Sequence, residues 1–162
     1  CLLKYYIWLT IQVKIREHQR AILRLLNEDL MRPLSCILLI DDDEATNNLN
    51  MMVLKSFKAA KKIEIAWNGK EGIDYINSCA KEDLPELILL DINMPFMNGF
   101  EFLEAYKSLE ESRKKGVKLM MLTTSKNPKD LARAESIPEL QEVIEKPLMR
   151  SKVAKIWNKY FL

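Results

Sequence analysis

Cysteine and histidine are scarce in this chain of 162 residues, which holds three cysteines and one histidine. The cysteines, Cys1, Cys36 and Cys79, are odd in number, widely spaced and without a CxxC pair. A disulfide framework needs paired cysteines, and a structural zinc site needs clustered Cys and His ligands. The composition therefore argues against both, and a reducing cytoplasm is the expected location.

An excess of one charge is also lacking. Lys and Arg number 25 against 23 Asp and Glu, which gives a formal net charge of +2, and no long block of like charge occurs. Composition thus gives no argument for direct nucleic-acid binding, which normally needs a concentrated basic surface. With 48% hydrophobic and 30% charged residues, the chain has the composition of one globular domain with a short extension.

A membrane span is not expected, because no apolar run is long enough. Lys4, Gln12 and Lys14 interrupt the apolar residues 1–15 well short of the roughly eighteen residues that a span needs. Across residues 11–30, apolar residues fall near helical spacing with basic residues between them. This pattern predicts a moderately basic amphipathic helix.

Residues 1–32 are accordingly predicted to be a helical N-terminal extension. Three interpretations stay open: a helix that docks on its own domain or on a partner, a membrane-surface anchor, or residues upstream of the natural start. The third is open because Met31 stands directly before the predicted domain, so the extension need not be native. His18, which lies here, is interpreted as an exposed or capping side chain and not as a phosphodonor.

Residues 33–162 alternate between two kinds of pattern. Short apolar segments predict strands over residues 35–40, 63–67, 86–90, 117–122 and 141–145. Helical spacing predicts helices over residues 44–59, 70–80, 100–109 and 151–160, and a short helix that starts at Pro128 and ends before Ile137. The prediction is an α/β domain of the flavodoxin-like kind, with a doubly wound five-stranded parallel sheet flanked by five helices. The apolar side of its first helix carries Leu49, Met52, Val53 and Phe57.

Polar side chains follow four of the five predicted strands. They are Asp41 to Glu44 after the first strand, Asp91 after the third, Thr123 to Ser125 after the fourth and Lys146 after the fifth. Because the carboxyl ends of parallel strands lie at one edge of the sheet, we expect these groups to form one site.

The run of four acids after the first strand needs an explanation. Adjacent carboxylates repel one another unless solvent or a cation offsets their charge. Mg²⁺ suits Asp41 and Asp42 together with Asp91, since it takes few carboxylates and keeps several waters. Asp43 and Glu44 are expected to lie at the N-terminus of the next helix, where negative charge is favourable.

Asp91, a divalent cation, Lys146 and the Thr123 hydroxyl are together the groups that phosphoryl transfer requires. That chemistry depends mostly on positioning and on charge neutralisation. Asp91 would be the attacking carboxylate and would form an aspartyl phosphate.

The motifs at these strand ends resemble those of response-regulator receiver domains in two-component signalling. The matching stretches are LLIDDDE (38–44), LLDINMPFMNG (89–99), MLTTS (121–125) and EKPL (145–148). They occur in the family's order, and the wording is most similar to stand-alone receivers. The resemblance implies that Asp91 accepts phosphate from a histidine kinase or a histidine phosphotransfer protein.

The resemblance also implies the cation ligands. Asp42 would bind Mg²⁺ directly, Asp41 mainly through water, and Asn93 with its backbone carbonyl, beside Asp91 itself. Thr123 would move toward the bound phosphoryl group.

Two further expectations follow from the resemblance. Lys146 would neutralise the phosphoryl group, and Asn93 and Ser125 occupy the positions that tune hydrolysis, consistent with slow self-dephosphorylation. One position departs from the family: Val143 stands where an aromatic residue often reports the switch. The resemblance therefore does not imply readout by an aromatic rotamer at this position.

The predicted function is signalling and not enzymatic turnover. Output would pass to a downstream protein partner through the fourth helix, fifth strand and fifth helix, including Leu131, Val143 and Trp157. One alternative is a pseudo-receiver that binds partners without being phosphorylated. Another is a phosphatase of the haloacid-dehalogenase type, but its Asp-x-Asp-x-Thr/Val signature meets Ala45 at the last position and no cap domain fits the length.

Overall fold

The computed structural model describes Tyr6, residues 10–16 and residues 32–162. The chain divides between Arg32 and Pro33 into two units. In the first unit, Tyr6 and residues 10–16 are helical, and the remainder of the predicted amphipathic helix, with His18 and Met31, lies outside the described residues. Of the helices in the described part of the chain, none has the length and hydropathy that crossing a bilayer requires.

The second unit is built on five strands. They are β1 (Leu34–Ile40), β2 (Ala60–Ala66), β3 (Leu87–Asp91), β4 (Lys118–Thr123) and β5 (Leu140–Glu145). All pair in parallel in one sheet of order β2-β1-β3-β4-β5. The three inner strands are almost wholly buried, which explains their near-continuous apolar sequences. The predicted parallel sheet is confirmed.

Five helices of two turns or more connect and flank the strands. They are α1 (Glu44–Ser56), α2 (Gly69–Ser78), α3 (Gly99–Lys107), α4 (Pro128–Glu135) and α5 (Arg150–Tyr160). Two shorter pieces, a 3₁₀ turn at Lys81–Asp83 and a single α-helical turn at Glu111–Lys114, were not predicted. Helix α1 contacts α5 and α2 contacts α3. The strand order and right-handed crossovers place these pairs on opposite faces of the sheet.

Side-chain caps start four of the helices. Asp43, Asn68, Asn98 and Asn127 each accept a hydrogen bond from a backbone N–H of the first turn. At α3 the cap is reciprocal, because Glu101 also accepts from the Asn98 backbone. Asp43 therefore caps α1 as predicted for the outer acids.

The apolar side of α1 is not its buried side. Leu49 is 55% exposed and Met52 is 70% exposed, whereas Asn47, Asn50 and Leu54 are buried. The apolar pattern therefore does not mark the buried side of α1 at these two positions.

Trp157 was also misplaced by the sequence reasoning. It was expected on the output surface, but only 1% of it is exposed, and its ring lies between those of Phe57 and Phe161 at centroid distances of 6.1 and 5.1 Å. Leu131 and Val143 are half-buried. Val143 packs against the main core cluster, so it serves as strand core.

Candidate functional site

The predicted polar residues meet at the carboxyl edge of the sheet, where β1 and β3 lie side by side. Ile40 on β1 is in register with Leu90 on β3, so Asp41 and Asp91 follow as neighbours. Strand β2 lies on one side of β1, and β3, β4 and β5 follow on the other side, so the strand order reverses between β1 and β3. This place is the switch point of the sheet. Ligands of open α/β sheets bind in the crevice at such a point.

Lys146 joins the two buried acids. Its Nζ donates to Asp41 Oδ2 at 2.6 Å and lies 2.8 Å from Asp91 Oδ1. The exposed fractions of the three side chains are 11% for Lys146, 5% for Asp41 and 9% for Asp91. One ammonium therefore bridges two carboxylates that are almost completely removed from solvent.

Burial and pairing act in opposite directions on the lysine. Burial alone would lower the pKa of Lys146, but its hydrogen bonds to Asp41 and Asp91 outweigh burial and raise the pKa above the ordinary lysine value. Lys146 is thus a fixed positive charge at neutral pH. Burial raises the pKa of Asp41, and the hydrogen bonds from Lys146 and from the backbone of Asp43 offset only part of that effect.

Backbone amides fix the remaining carboxylate oxygens. The N–H of Asp43 donates to Asp41 Oδ1 at 3.0 Å, and the N–H of Asn93 donates to Asp91 Oδ2 at 3.0 Å. Both carboxylates are held by two donors each, so their orientation is set before any ligand arrives.

The acids at this edge suit a divalent cation. One carboxylate oxygen from each of Asp41, Asp42 and Asp91 lies within 4.8 Å of the others. Three carboxylates face one ammonium, so two negative charges are left uncompensated. Asp42 is exposed, which leaves the cluster open to water on its side. Hard oxygen donors with access to water are the ligands of Mg²⁺ and similar ions.

The start of α3 packs closely against the backbone of Asp91 and Ile92. The N–H of Gly99 at the start of α3 donates to the carbonyl of Ile92 at 2.8 Å. A Cβ at Gly99 would lie 2.3 Å from the Asp91 carbonyl oxygen, nearer than any real contact. Glycine at position 99 is therefore required for this approach.

Thr123 lies at the same edge, one residue past the register partner of Asp91 on β4. It is 2% exposed, and its Oγ1 accepts a hydrogen bond from the N–H of Ser125 at 2.9 Å. Ser125 Oγ in turn donates to Asp130 on α4 at 3.1 Å. The Thr123 hydroxyl is thus connected through Ser125 to the first turn of α4.

The structure brings Asp41, Asp42, Asp91 and Lys146 into one cluster and places Thr123 beside it. The backbone N–H of Asn93 donates to the Asp91 carboxylate. The role of the Asn93 carbonyl as a cation ligand stays a prediction.

Sequence reasoning missed two residues of this region. Asn47 is buried and donates to the backbone carbonyl of Asp41, and Asp130 accepts from Ser125. Asp130 could have been found from its position in the first turn after the Ser125 loop. Asn47 gave no such signal, because it lies among polar residues of a helix.

Comparison with known proteins agrees with this geometry. The family model for the response regulator receiver domain matches residues 37–158. Among curated proteins, the "Probable methanogenesis regulatory protein FilR2" of Methanothrix harundinacea is 33% identical over 102 residues, which are 62% of this chain and 64% of that protein. The "Probable C4-dicarboxylate response regulator DctR" of Bacillus subtilis is 32% identical over 55% of this chain and 35% of its own length. The match thus spans less than two thirds of either relative.

The fold is shared with solved structures. A two component response regulator from Cytophaga hutchinsonii superposes with a TM-score of 0.72 at 30% identity, covering 80% of this chain and 98% of that one. A response regulator receiver protein from Dyadobacter fermentans gives a TM-score of 0.68 at 26% identity, covering 78% and 98%.

Proposed function

The chain belongs to the response regulator receiver domain family, and from this we propose that Asp91 is its phosphoacceptor, with residues 33–162 as the receiver domain. The observation that carries the proposal is the bridge from Lys146 to Asp41 and Asp91 beside a third acid, Asp42. This arrangement supplies a fixed carboxylate nucleophile, a fixed cation and a place for a divalent metal. Those are the requirements of phosphoryl transfer.

The proposed donor is a phosphohistidine on a histidine kinase or a histidine phosphotransfer protein. An Asp91 carboxylate oxygen would attack phosphorus as the phosphorus–nitrogen bond breaks. The bonding electrons stay with the imidazole, which then takes up a proton. Lys146 would hold the transferred group by charge, and the Thr123 hydroxyl would donate to one of its oxygens.

Asp41, Asp42 and Asp91 would hold the divalent cation, which we propose to be Mg²⁺. When bound, the metal supplies charge neutralisation of the phosphoryl oxygens. The side chains fit this ligand, since they offer oxygen donors and leave two negative charges uncompensated. The backbone carbonyl of Asn93 is proposed as a further ligand.

The output of the domain is proposed to be a change in affinity for a downstream protein, with the chain acting in the cytoplasm. Leu131 and Val143 stay in the proposed output surface, from which the buried Trp157 is removed. Phosphorylation would shift the population of conformations that this surface samples.

The direct test is incubation with acetyl phosphate and Mg²⁺ followed by intact mass measurement. We expect a gain of one phosphoryl group that is lost in Asp91→Asn and kept in Asp74→Asn, an exposed acid on α2. No gain in the parent with metal present would favour the pseudo-receiver. A gain that persists in Asp91→Asn would overturn the assignment of the phosphoacceptor, and sustained turnover of a phosphate ester would favour the phosphatase.

A further inference from the structure

Asn47 is a fully buried amide in the first turn of α1, with an exposed fraction of 0%. Its Nδ2 donates to the backbone carbonyl of Asp41 at 2.8 Å. Asp41 is the first residue after β1, and its own N–H donates to the carbonyl of Ala66 at 3.1 Å. Its backbone is therefore tied to β2 on one side and to the Asn47 side chain on the other.

The turn from Asp41 to Asp43 carries the exposed acid of the cluster. At its end, Asp43 caps α1 by accepting from the N–H of Thr46 at 2.6 Å. Asp42 lies between these two fixed residues with its side chain in solvent. The position of the Asp42 backbone relative to Asp41 is therefore set by the turn.

Only one end of the buried Asn47 amide is satisfied. The Asn47 Oδ1 atom is buried and has no hydrogen-bond partner among the described residues. An unsatisfied buried acceptor costs about 1–3 kcal/mol, which opposes what the hydrogen bond from Nδ2 to the Asp41 carbonyl contributes to stability. The opposite amide orientation would set two acceptor oxygens against each other, so the contact with Asp41 fixes which way the amide points.

We propose that Asn47 is a positioning residue of the divalent-cation site, which holds the Asp41–Asp43 turn so that Asp42 and Asp41 face Asp91 together. The inference rests on the proposed function, because it assumes that these acids bind a cation. Partners that hold metal ligands in place typically change metal affinity by about 10- to 100-fold when they are removed. We expect at least about a tenfold loss when the Asn47 amide is removed.

The chain offers a matched control in Asn50. It lies on the same buried side of α1, one turn further on, and is 2% exposed. Asn47→Leu removes the contact with Asp41, and Asn50→Leu makes the same chemical change at a buried position that is more remote in sequence from the Asp41–Asp43 turn. Mg²⁺ affinity is measured by isothermal titration calorimetry on the full chain, and urea unfolding is measured in EDTA and in saturating Mg²⁺.

We expect Asn47→Leu to bind Mg²⁺ at least about tenfold more weakly, while Asn50→Leu binds as the parent does. A tenfold loss also reduces the stabilisation gained from Mg²⁺ by about 1.4 kcal/mol. A purely structural role would change stability equally in EDTA and in Mg²⁺. Equal Mg²⁺ affinity in Asn47→Leu and the parent overturns the inference.

A second variant keeps the test decisive if Asn47→Leu does not fold. Asn47→Ala is smaller and removes both amide groups, so we expect it to fold and to bind Mg²⁺ at least about tenfold more weakly than the parent. Equal affinities for Asn47→Ala and the parent would overturn the inference as well. If the parent itself binds no divalent cation, the proposed function has failed at its metal site, which is a separate result from failure of Asn47 alone.

Discussion

Removing the charge of Lys146 tests how the site is held together. Lys146 Nζ lies 2.6 Å from an Asp41 oxygen and 2.8 Å from an Asp91 oxygen, and the three side chains are at most 11% exposed. In Lys146→Met, two buried carboxylates face each other with Asp42 nearby and no positive charge between them. We expect the free energy of unfolding to fall sharply when no divalent metal is present.

The size of the loss follows from the geometry. At these distances each contact carries about 6 kcal/mol of attraction at an effective dielectric constant of about 20. Methionine avoids the cost of desolvating an ammonium, which offsets much of that attraction, and breaking a buried pair typically costs about 3–5 kcal/mol net. With a urea m value of about 1.5 kcal/mol/M, the unfolding midpoint should drop by about 2–3 M.

Urea unfolding followed by circular dichroism measures this directly, in EDTA and in Mg²⁺. The matched control is Lys126→Met, since Lys126 is 86% exposed and lies 3.9 Å from Glu145. Exposed pairs contribute about 0–1 kcal/mol, so the control should unfold close to the parent. Mg²⁺ should restore more stability to Lys146→Met than to the parent, because it supplies the missing positive charge.

Two results would refute this reasoning. One is a Lys146→Met protein that unfolds in EDTA at the same urea concentration as the parent. The other is an Asp91→Asn protein that loses more stability in EDTA than Lys146→Met does. Asp91→Asn keeps the pair between Asp41 and Lys146 and removes a repulsive charge, so its loss should be the smaller one.

Two further predictions concern backbone packing and pH. Gly99→Ala should lower the free energy of unfolding by about 3 kcal/mol, because its Cβ would meet the Asp91 carbonyl at 2.3 Å. The control is Gly116→Ala, whose Cβ meets no atom within 4 Å and which should cost about 1 kcal/mol through the strain of φ +83° alone. Equal losses of the two variants in urea unfolding would contradict the contact at Gly99. Burial raises the pKa of Tyr106 to about 12. Between pH 10 and pH 12 the unfolded chain has therefore lost a proton that the folded chain keeps. The free energy of unfolding should fall over this range by up to about 1.4 kcal/mol for each unit that the pH rises. In urea unfolding, the free energy of unfolding of Tyr106→Phe should fall less steeply over this range. Part of the slope should remain, because burial also raises the pKa of Tyr75. Parallel curves for the parent and the variant would contradict the assignment of the slope to Tyr106.

The convergence of Asp41, Asp91 and Lys146 could be predicted because it depends on a single property of parallel sheets. Apolar runs located the strands, and their carboxyl ends must then share one edge. Boundaries were less accurate. Helix α1 was predicted to continue to residue 59, but it ends at Ser56 because Lys58 takes a positive φ of 50°. Nothing in the apolar pattern of that segment marks this turn.

The buried side of α1 could not be predicted, because it violates the rule that apolar residues face inward. Leu49 and Met52 face solvent, and Asn47 and Asn50 face the domain. The inward position of Asn47 is favourable only because the carbonyl of Asp41 stands opposite it, and that contact depends on where β1 ends. For Trp157, by contrast, the signal was present, since Val153, Ile156 and Trp157 recur at helical spacing and are all buried.

The route from the site to the surface follows from the groups that surround Thr123. Position 143 carries a valine that packs against the core, and a valine has no aromatic ring whose rotamer could change. Thr123 Oγ1 already accepts the N–H of Ser125, and Ser125 Oγ is bound to Asp130 on α4. If a phosphoryl group on Asp91 draws the Thr123 hydroxyl toward itself, that bond must either break or carry Ser125 with it. If Ser125 moves with Thr123, its contact with Asp130 changes, which makes the start of α4 the first part of the proposed output surface to respond.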